Sequence, residues 1–195
     1  TTLTPLLHFH LLKNVPKLNL SESDFYNINQ FKESKEKDYD FIYVCLSDHG
    51  EGCSIGWQAV NRNWDLAKKC LPIMCKKYNL KGLIIGRSNC NFSDEVKKNL
   101  TLIDFTPYHE FIKKMSRCKF IFLPNVEDAS PRVLTEALVL NLPALINKNI
   151  IGGWKYINNK TGQFFTDEND LGTALEKIIN NYDNYEPRKY YGDNY

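Results

Sequence analysis

Residues able to do chemistry concentrate in one run, Asn125 to Pro143, which reads NVEDASPRVLTEALVLNLP directly after the apolar stretch Phe120 to Pro124. Ser130 suits a helix N-cap and Pro131 the first helical position, where its missing N–H costs nothing. The backbone N–H groups of Arg132, Val133 and Leu134 would then lack intrahelical acceptors and point out of the helix start. The helix dipole favours negative charge at the same place, so this is a seat for a phosphate. Asp128 precedes the helix and Glu136 lies inside it. Carboxylates touching phosphates would repel them, so this pair is better suited to accept hydrogen bonds from neutral hydroxyls, such as those of a ribose and a hexose. The plain alternative is a capped amphipathic helix with one solvated Asp and one solvated Glu.

A second stretch, Gly50-Glu51-Gly52-Cys53-Ser54-Ile55-Gly56, has the form G-x-G-x-x-x-G, and Arg87 follows the next apolar run. Together they suggest dinucleotide binding with an Arg for a 2′-phosphate, hence an NADP-dependent oxidoreductase as a competing reading. The glycines, however, fall in the long connection Ser47 to Asn61 rather than in a tight strand-to-helix turn, which better fits a substrate-site loop. His8 and His10 are two apart, but nothing nearby completes a ligand set, so no metal site is expected. His49 and His109 read as solvated loop residues. Trp57, in the loop, is a better stacking surface for a sugar than Trp64 or Trp154, which read as packing residues.

These groups need a scaffold, and the rest of the chain supplies its pattern. Short β-rich runs (Phe41 to Leu46, Leu83 to Gly86, Leu100 to Phe105, Phe120 to Pro124, Ala144 to Asn147, Gln163 to Phe165) alternate with amphipathic stretches. Trp64, Leu66, Ala67, Cys70, Leu71, Met74 and Cys75 recur at helical steps, as do Phe111, Ile112 and Met115, and helices also fit Pro131 to Leu140 and Asn169 to Tyr182. The alternation predicts an α/β fold: a Rossmann-like, doubly wound parallel sheet of about six strands with helices on both faces. Ligands of such sheets bind beyond the carboxyl ends of the strands. Residues 1–39 read as an arm and linker, 40–185 as one Rossmann-like domain, which the resemblance given below makes nucleotide-sugar-binding, and 186–195 as a poorly anchored tail.

The bulk numbers narrow the setting. With 195 residues and 43% hydrophobic composition, one sizeable core is the default. A net charge of +2 gives no global field for nucleic acid or an anionic membrane. The six cysteines form no C-x-x-C pair and are expected to be reduced thiols of a cytoplasmic protein. No apolar run reaches the length of a transmembrane segment and no signal-peptide profile opens the chain. It begins Thr1-Thr2 rather than with Met, as an excised piece of a longer protein would.

The run from Asp128 resembles the carboxylate signature of retaining GT-B glycosyltransferases, family four in particular: an acidic residue, seven residues (here Ala129 to Thr135), then Glu136-Ala137, with Asn141 and Pro143 closing the helix. Ile151-Gly152-Gly153-Trp154 and Lys160-Thr161-Gly162-Gln163-Phe164-Phe165 look like that family's Gly-rich turn and following strand, and Asp104 to Phe111 resembles its third strand, nucleotide-base loop and helix. The resemblance covers roughly Asp40 to Asn184. It implies a hexosyltransferase that moves a sugar from a nucleoside-diphosphate sugar to a glycan or other hydroxyl acceptor, with retention and with neither metal nor cofactor. Asp128 would hold the donor sugar and Glu136 the ribose, with the diphosphate on the amides around Ser130, Arg132, Val133 and Leu134. Thr106 and Tyr108 fall in the base loop and Gly152 and Gly153 in the Gly-rich turn. Arg62 matches the family's second basic position, which neutralises the leaving diphosphate. The first basic position falls near Leu46 or Ser47, and Arg87 is the substitute for that charge. Asp128 is shorter than the family's usual Glu. No acceptor domain is recognisable in residues 1–39, which implies a missing domain or partner subunit and leaves a non-catalytic nucleotide-sugar-binding module as the alternative function.

Overall fold

A computed structural model of the chain describes residues 20–47, 53 and 56–195. In chain order the elements are β1 (Tyr39–Val44), α1 (Trp57–Asn61), α2 (Trp64–Pro72, continued by a π-helical turn Ile73–Lys77), β2 (Gly82–Ile85), α3 (Asp94–Lys97), β3 (Leu100–Ile103), α4 (Tyr108–Ser116), β4 (Cys118–Leu123), α5 (Arg132–Val139), β5 (Ala144–Asn147), β6 (Gly162–Phe165), α6 (Leu171–Asn180) and α7 (Pro187–Asn194). The six strands form one sheet in the order β3-β2-β1-β4-β5-β6, and every neighbouring pair is parallel. The doubly wound sheet expected from the alternation of strands and helices is the sheet observed.

Side-chain alternation along the strands divides the core in two. Phe41 and Tyr43 of β1, Ile84 of β2 and Phe120 and Phe122 of β4 face α2 and α6, where they meet Trp64, Leu71, Met74, Leu175 and Ile178. Ile42, Leu83, Ile121 and Leu123, one residue out of phase, face α4, α5 and α7 and meet Met115, Leu134, Leu138 and Tyr191. Because the sheet is covered on both sides, its central strands are apolar on both faces beyond their second residues, Asp40 and Lys119, which pair with each other at the strand starts. The order reverses between β1 and β4, and the crevice of a doubly wound sheet opens at that reversal, beyond the carboxyl ends of the strands.

Two expectations are corrected. Cys53 and Cys90 form a disulfide that ties the connection after β1 to the one after β2, while Cys45, Cys70, Cys75 and Cys118 are free and buried. The pairing spans 37 residues and joins two loops, so no local spacing announces it. The chain end is also well anchored. Helix α7 packs on α5, its Tyr191 is 1% exposed, and Tyr191 Oη donates to the carbonyl of Ser23 at 2.6 Å. Tyrosines 156, 191 and 195 lie side by side, with centroids 4.9 to 6.3 Å apart. The segment before β1 is drawn into the same cluster: buried Asp24 accepts from Lys155 Nζ at 2.6 Å and from the Tyr156 hydroxyl. Arg188 completes the brace by donating to the carbonyls of Ile28, Phe31 and Val139.

His8, His10, His49 and the loop glycines Gly50 and Gly52 lie outside the described residues. Among the described residues no helix is long and apolar enough to cross a membrane.

Candidate functional site

Beyond the carboxyl ends of β1 and β4 lies a cleft of about 370 Å³. Its apolar wall is Val44, Leu46, Ile85, Phe105 and Phe111, and its polar wall gathers Arg62, Thr106, Tyr108, Asp128, Ser130, Arg132, Val133 and Glu136. A few convergent polar groups on an apolar wall are what a small-molecule site requires. A wider groove between residues 30–36 and α4 carries Lys, Arg and Glu side chains, but its Arg117 is already paired with Glu36 and Asp38.

The structure brings together most of the residues that the sequence nominates. Four stand elsewhere. Arg87 adopts a left-handed backbone (φ 53°) and is fully buried, with Nε on Cys45 Sγ at 3.3 Å and Nη1 on the Cys53 carbonyl at 3.3 Å. Leu134 is buried in the core, and its N–H donates to Pro131 O at 2.9 Å. Gly152 and Gly153 support the cleft from behind. A Cβ on Gly152 would fall 1.9 Å from the Ala129 carbonyl oxygen, and Gly153 (φ 82°) lies against Pro131 and Leu134. Side chains at either place would push the 128–131 connection out of position.

The start of α5 differs in detail from expectation. The helix begins at Arg132, and Pro131 occupies the cap position without a side-chain cap. Ser130 does not cap it: its Oγ is hydrogen-bonded with Ser21 Oγ at 2.5 Å and Ser23 Oγ at 3.1 Å. Arg132 and Val133 remain as first-turn amides facing the cleft, with the exposed Arg132 side chain beside them.

Arg62 forms an ion pair with Asp128, and both side chains are largely buried. Their meeting is arranged by the joint between α1 and α2. Buried Asn61 donates its side-chain amide to the Glu127 carbonyl, and its own carbonyl accepts from Val126 N at 3.1 Å. Tyr43 Oη, reaching up from β1, donates to the Arg62 carbonyl at 2.9 Å. On the other side Asn125 Nδ2 donates to Asp128 Oδ2 at 3.1 Å. The guanidinium is thus fixed on Asp128 by groups of the sheet and its connections.

Glu136 is 6% exposed and lies at the inner end of the cleft. Two phenols, Tyr108 from α4 and Tyr26 from the segment before β1, each donate to its Oε1 at 3.0 Å. Burial raises the carboxyl above the ordinary glutamate range, and the two phenols and the Arg132 charge work against that rise. Burial and the adjacent carboxylate in turn push both phenols upward, so they stay protonated as donors. Sequence reasoning missed Tyr26, Asn61 and Asn125. For Tyr26 a signal existed: Ser21-Glu22-Ser23-Asp24 is a capping box, realised by Ser21 and Asp24, and it marks an ordered turn just before Phe25-Tyr26.

Neither a protein-family model nor a curated protein sequence matches the chain. Solved structures do. TarM is 14% identical and matches over 87% of this chain and 33% of its own (TM-score 0.62). The Staphylococcus aureus TarM variant solved with fondaparinux, alpha-GlcNAc-glycerol and UDP is 18% identical over 98% of this chain and 38% of its own (TM-score 0.61). The C-terminal domain of LpcC, a glycosyl transferase group 1 family protein from Francisella tularensis, is 11% identical over 86% of this chain and 95% of its own (TM-score 0.60). What they share is the fold. The chain spans about a third of the length of the TarM structures and nearly the whole of the LpcC domain.

The cleft gathers the Arg62 and Arg132 side chains, the first turn of α5 and the Asp128 and Glu136 carboxylates. An anion with hydroxyls attached at a fixed distance would meet both sets. Among the described residues, no group of three or more His, Cys, Asp or Glu side chains comes together as a metal-ligand set.

Proposed function

We propose that the chain is the donor-binding part of a glycosyltransferase that moves a hexose from a nucleoside-diphosphate sugar to a glycan or other hydroxyl acceptor, with retention and without a metal. The observation that carries this reading is the single cleft at the β1/β4 reversal, in which Arg62, Asp128, the α5 start and Glu136 converge. The fold shared with glycosyltransferase structures supports it, as does the signature from Asp128 to Pro143. A second domain or subunit supplies the acceptor side.

In this reading the diphosphate lies at the α5 start, against the Arg132 and Val133 amides, and Glu136 accepts from the ribose. Arg62 is held by Asp128 within reach of that seat. An incoming diphosphate competes for the guanidinium and releases Asp128 to accept from the donor sugar. As the glycosidic bond breaks, the sugar becomes oxocarbenium-like and charge accumulates on the departing diphosphate. With Arg62 already moved from Asp128 to the diphosphate, it and the amides stabilise that charge with no further rearrangement as the bond breaks.

An oxidoreductase using NADP loses its specific residue, because an Arg that meets a 2′-phosphate must reach solvent and Arg87 is fully buried. Calorimetry with UDP-, GDP- and dTDP-sugars beside NADPH tests the proposal. Binding of a nucleotide sugar is the expected result, and binding of NADPH alone would overturn it. Nucleotide-sugar binding without turnover on any hydroxyl acceptor, even with a complementing acceptor domain, would make the chain a binding module.

A further inference from the structure

We infer that Tyr26, contributed by the segment ahead of the sheet, is a positioning residue for Glu136: with Tyr108 it holds Oε1, so that Oε2 is the oxygen offered to the ligand. The inference rests on the donor-site reading above.

The two phenols come from opposite sides of the carboxylate, one from residues that precede β1 and one from α4, and both choose the same oxygen at the same 3.0 Å. Among the described residues no side chain or amide engages Oε2, while Glu136 itself lines the cleft. A carboxylate rotates freely about its terminal bond in water, and two donors on one oxygen remove that freedom. They also decide the charge state. The groups facing Glu136 are Tyr26, Tyr108 and Arg132, and each favours the carboxylate against a burial that favours the acid. A protonated Glu136 would lose its value as a double acceptor and present a hydroxyl instead.

Tyr26 is itself held from two directions. Its N–H donates to Tyr191 Oη at 3.3 Å, and its ring meets Phe31 edge-on at 5.5 Å. The hydroxyl of Tyr191 that receives it is the one bonded to Ser23 O. The first and last described segments of the chain therefore meet at one residue, Tyr26, whose backbone binds Tyr191 and whose side chain reaches the site.

The test uses the full chain and two readouts. Carbon NMR of the Glu136 carboxyl, assigned by Glu136→Gln, is followed against pH in wild type and Tyr26→Phe. The midpoint should move upward in the variant, because a donor that favoured the charged form is gone. An unmoved midpoint would overturn the inference. Separately, affinity is measured for whichever of UDP, GDP and dTDP binds most tightly. Tyr26→Phe should weaken it about tenfold at neutral pH, move the acid limb of binding upward, and change nothing further in a Glu136→Ala background, where no side-chain oxygen remains for it to hold. An equal loss in both backgrounds, with an unmoved acid limb, would mean that Tyr26 acts only as packing. If no nucleoside diphosphate binds wild type while the carboxyl midpoint still shifts, the coupling of Tyr26 to Glu136 stands and the donor-site reading fails.

Discussion

Around the sheet, apolar side chains sit on two faces at a regular period. The brace formed by residues 21–31 and α7 is held instead by buried hydrogen bonds and tyrosine rings. Phe41, Phe120 and Phe122 could each be replaced by an apolar residue of similar volume at modest cost, since hydrophobic burial has little direction. Asp24, with Lys155 on one oxygen and Tyr156 on the other, has no such substitute. The difference matters for the cleft because it draws on both regions. Arg62 and Asp128 are fixed by Asn61, Tyr43 and Asn125, all belonging to the sheet and its connections. Glu136 is buried in α5, but its charged oxygen is held partly by Tyr26 of the brace.

The strongest attack on this comparison is Asp24→Ala. It removes the buried carboxylate that accepts from the Lys155 ammonium, from the Tyr156 hydroxyl and from Ser21 N at 2.8 Å. Breaking one partner of a buried pair is expected to cost about 3 kcal/mol, read as the shift of a urea unfolding curve. A cost below about 1 kcal/mol would mean that the brace is ornamental, and its contrast with the sheet would collapse.

Arg62→Ala tests the sheet-held half of the site. Turnover with a complementing acceptor domain should fall about 100-fold, and donor affinity by about tenfold or less, because its charge matters most as the diphosphate leaves. Equal losses in steady-state turnover and calorimetric affinity would remove Arg62 from the departing-group role and leave it as the partner of Asp128.

Arg188→Ala is the milder probe of the brace. Three carbonyls, those of Ile28, Phe31 and Val139, lose a shared donor, and Glu33 loses an ion pair at 3.3 Å. A loss of about 2 kcal/mol is expected, with Arg188→Lys recovering little of it, since an ammonium cannot reproduce the planar fork. Hydrogen exchange should then speed up in residues 21–31 and α7 before it does in β1 or β4.

Which half could be read from the sequence follows from the same physics. Burial against a sheet imprints a period, so the strands, α2, α4, α5 and α6 are legible; the expected β5 coincides with the observed one, and the other strands differ by one or two residues at their ends. Asp128 and Glu136 are legible as candidates because a run of chemically able residues follows an apolar strand, and Arg62 only through the family resemblance. The brace has no period: its partners are single polar atoms separated by more than a hundred residues, as Ser21 is from Ser130 and Tyr26 from Glu136. The Cys53–Cys90 bond is hidden for the same reason, as is the burial of Arg87, whose charge looked available at a loop position but is covered by Cys45 and the Cys53 backbone.

Glu136→Gln should give the smallest change in stability, and an informative one because its direction is opposite to the others. Burial holds the folded carboxyl above its unfolded value, so the folded chain takes up this proton more readily than the unfolded chain does. The stabilisation belonging to the protonated form is complete below the unfolded value and is lost as pH rises through the folded value. The glutamine, which stays neutral and still accepts from Tyr26 and Tyr108, escapes that loss. Its melting temperature should therefore exceed wild type by about 2 °C at neutral pH, and the advantage should disappear in acid. Nucleoside-diphosphate affinity should fall at the same time. A variant that is steadier and binds worse would place Glu136 among groups kept charged for a ligand at some expense to the fold. A variant that is less stable at neutral pH would mean that the two phenols already hold the charge at no cost, and that the brace reaches the site to stabilise α5 rather than to aim its carboxylate.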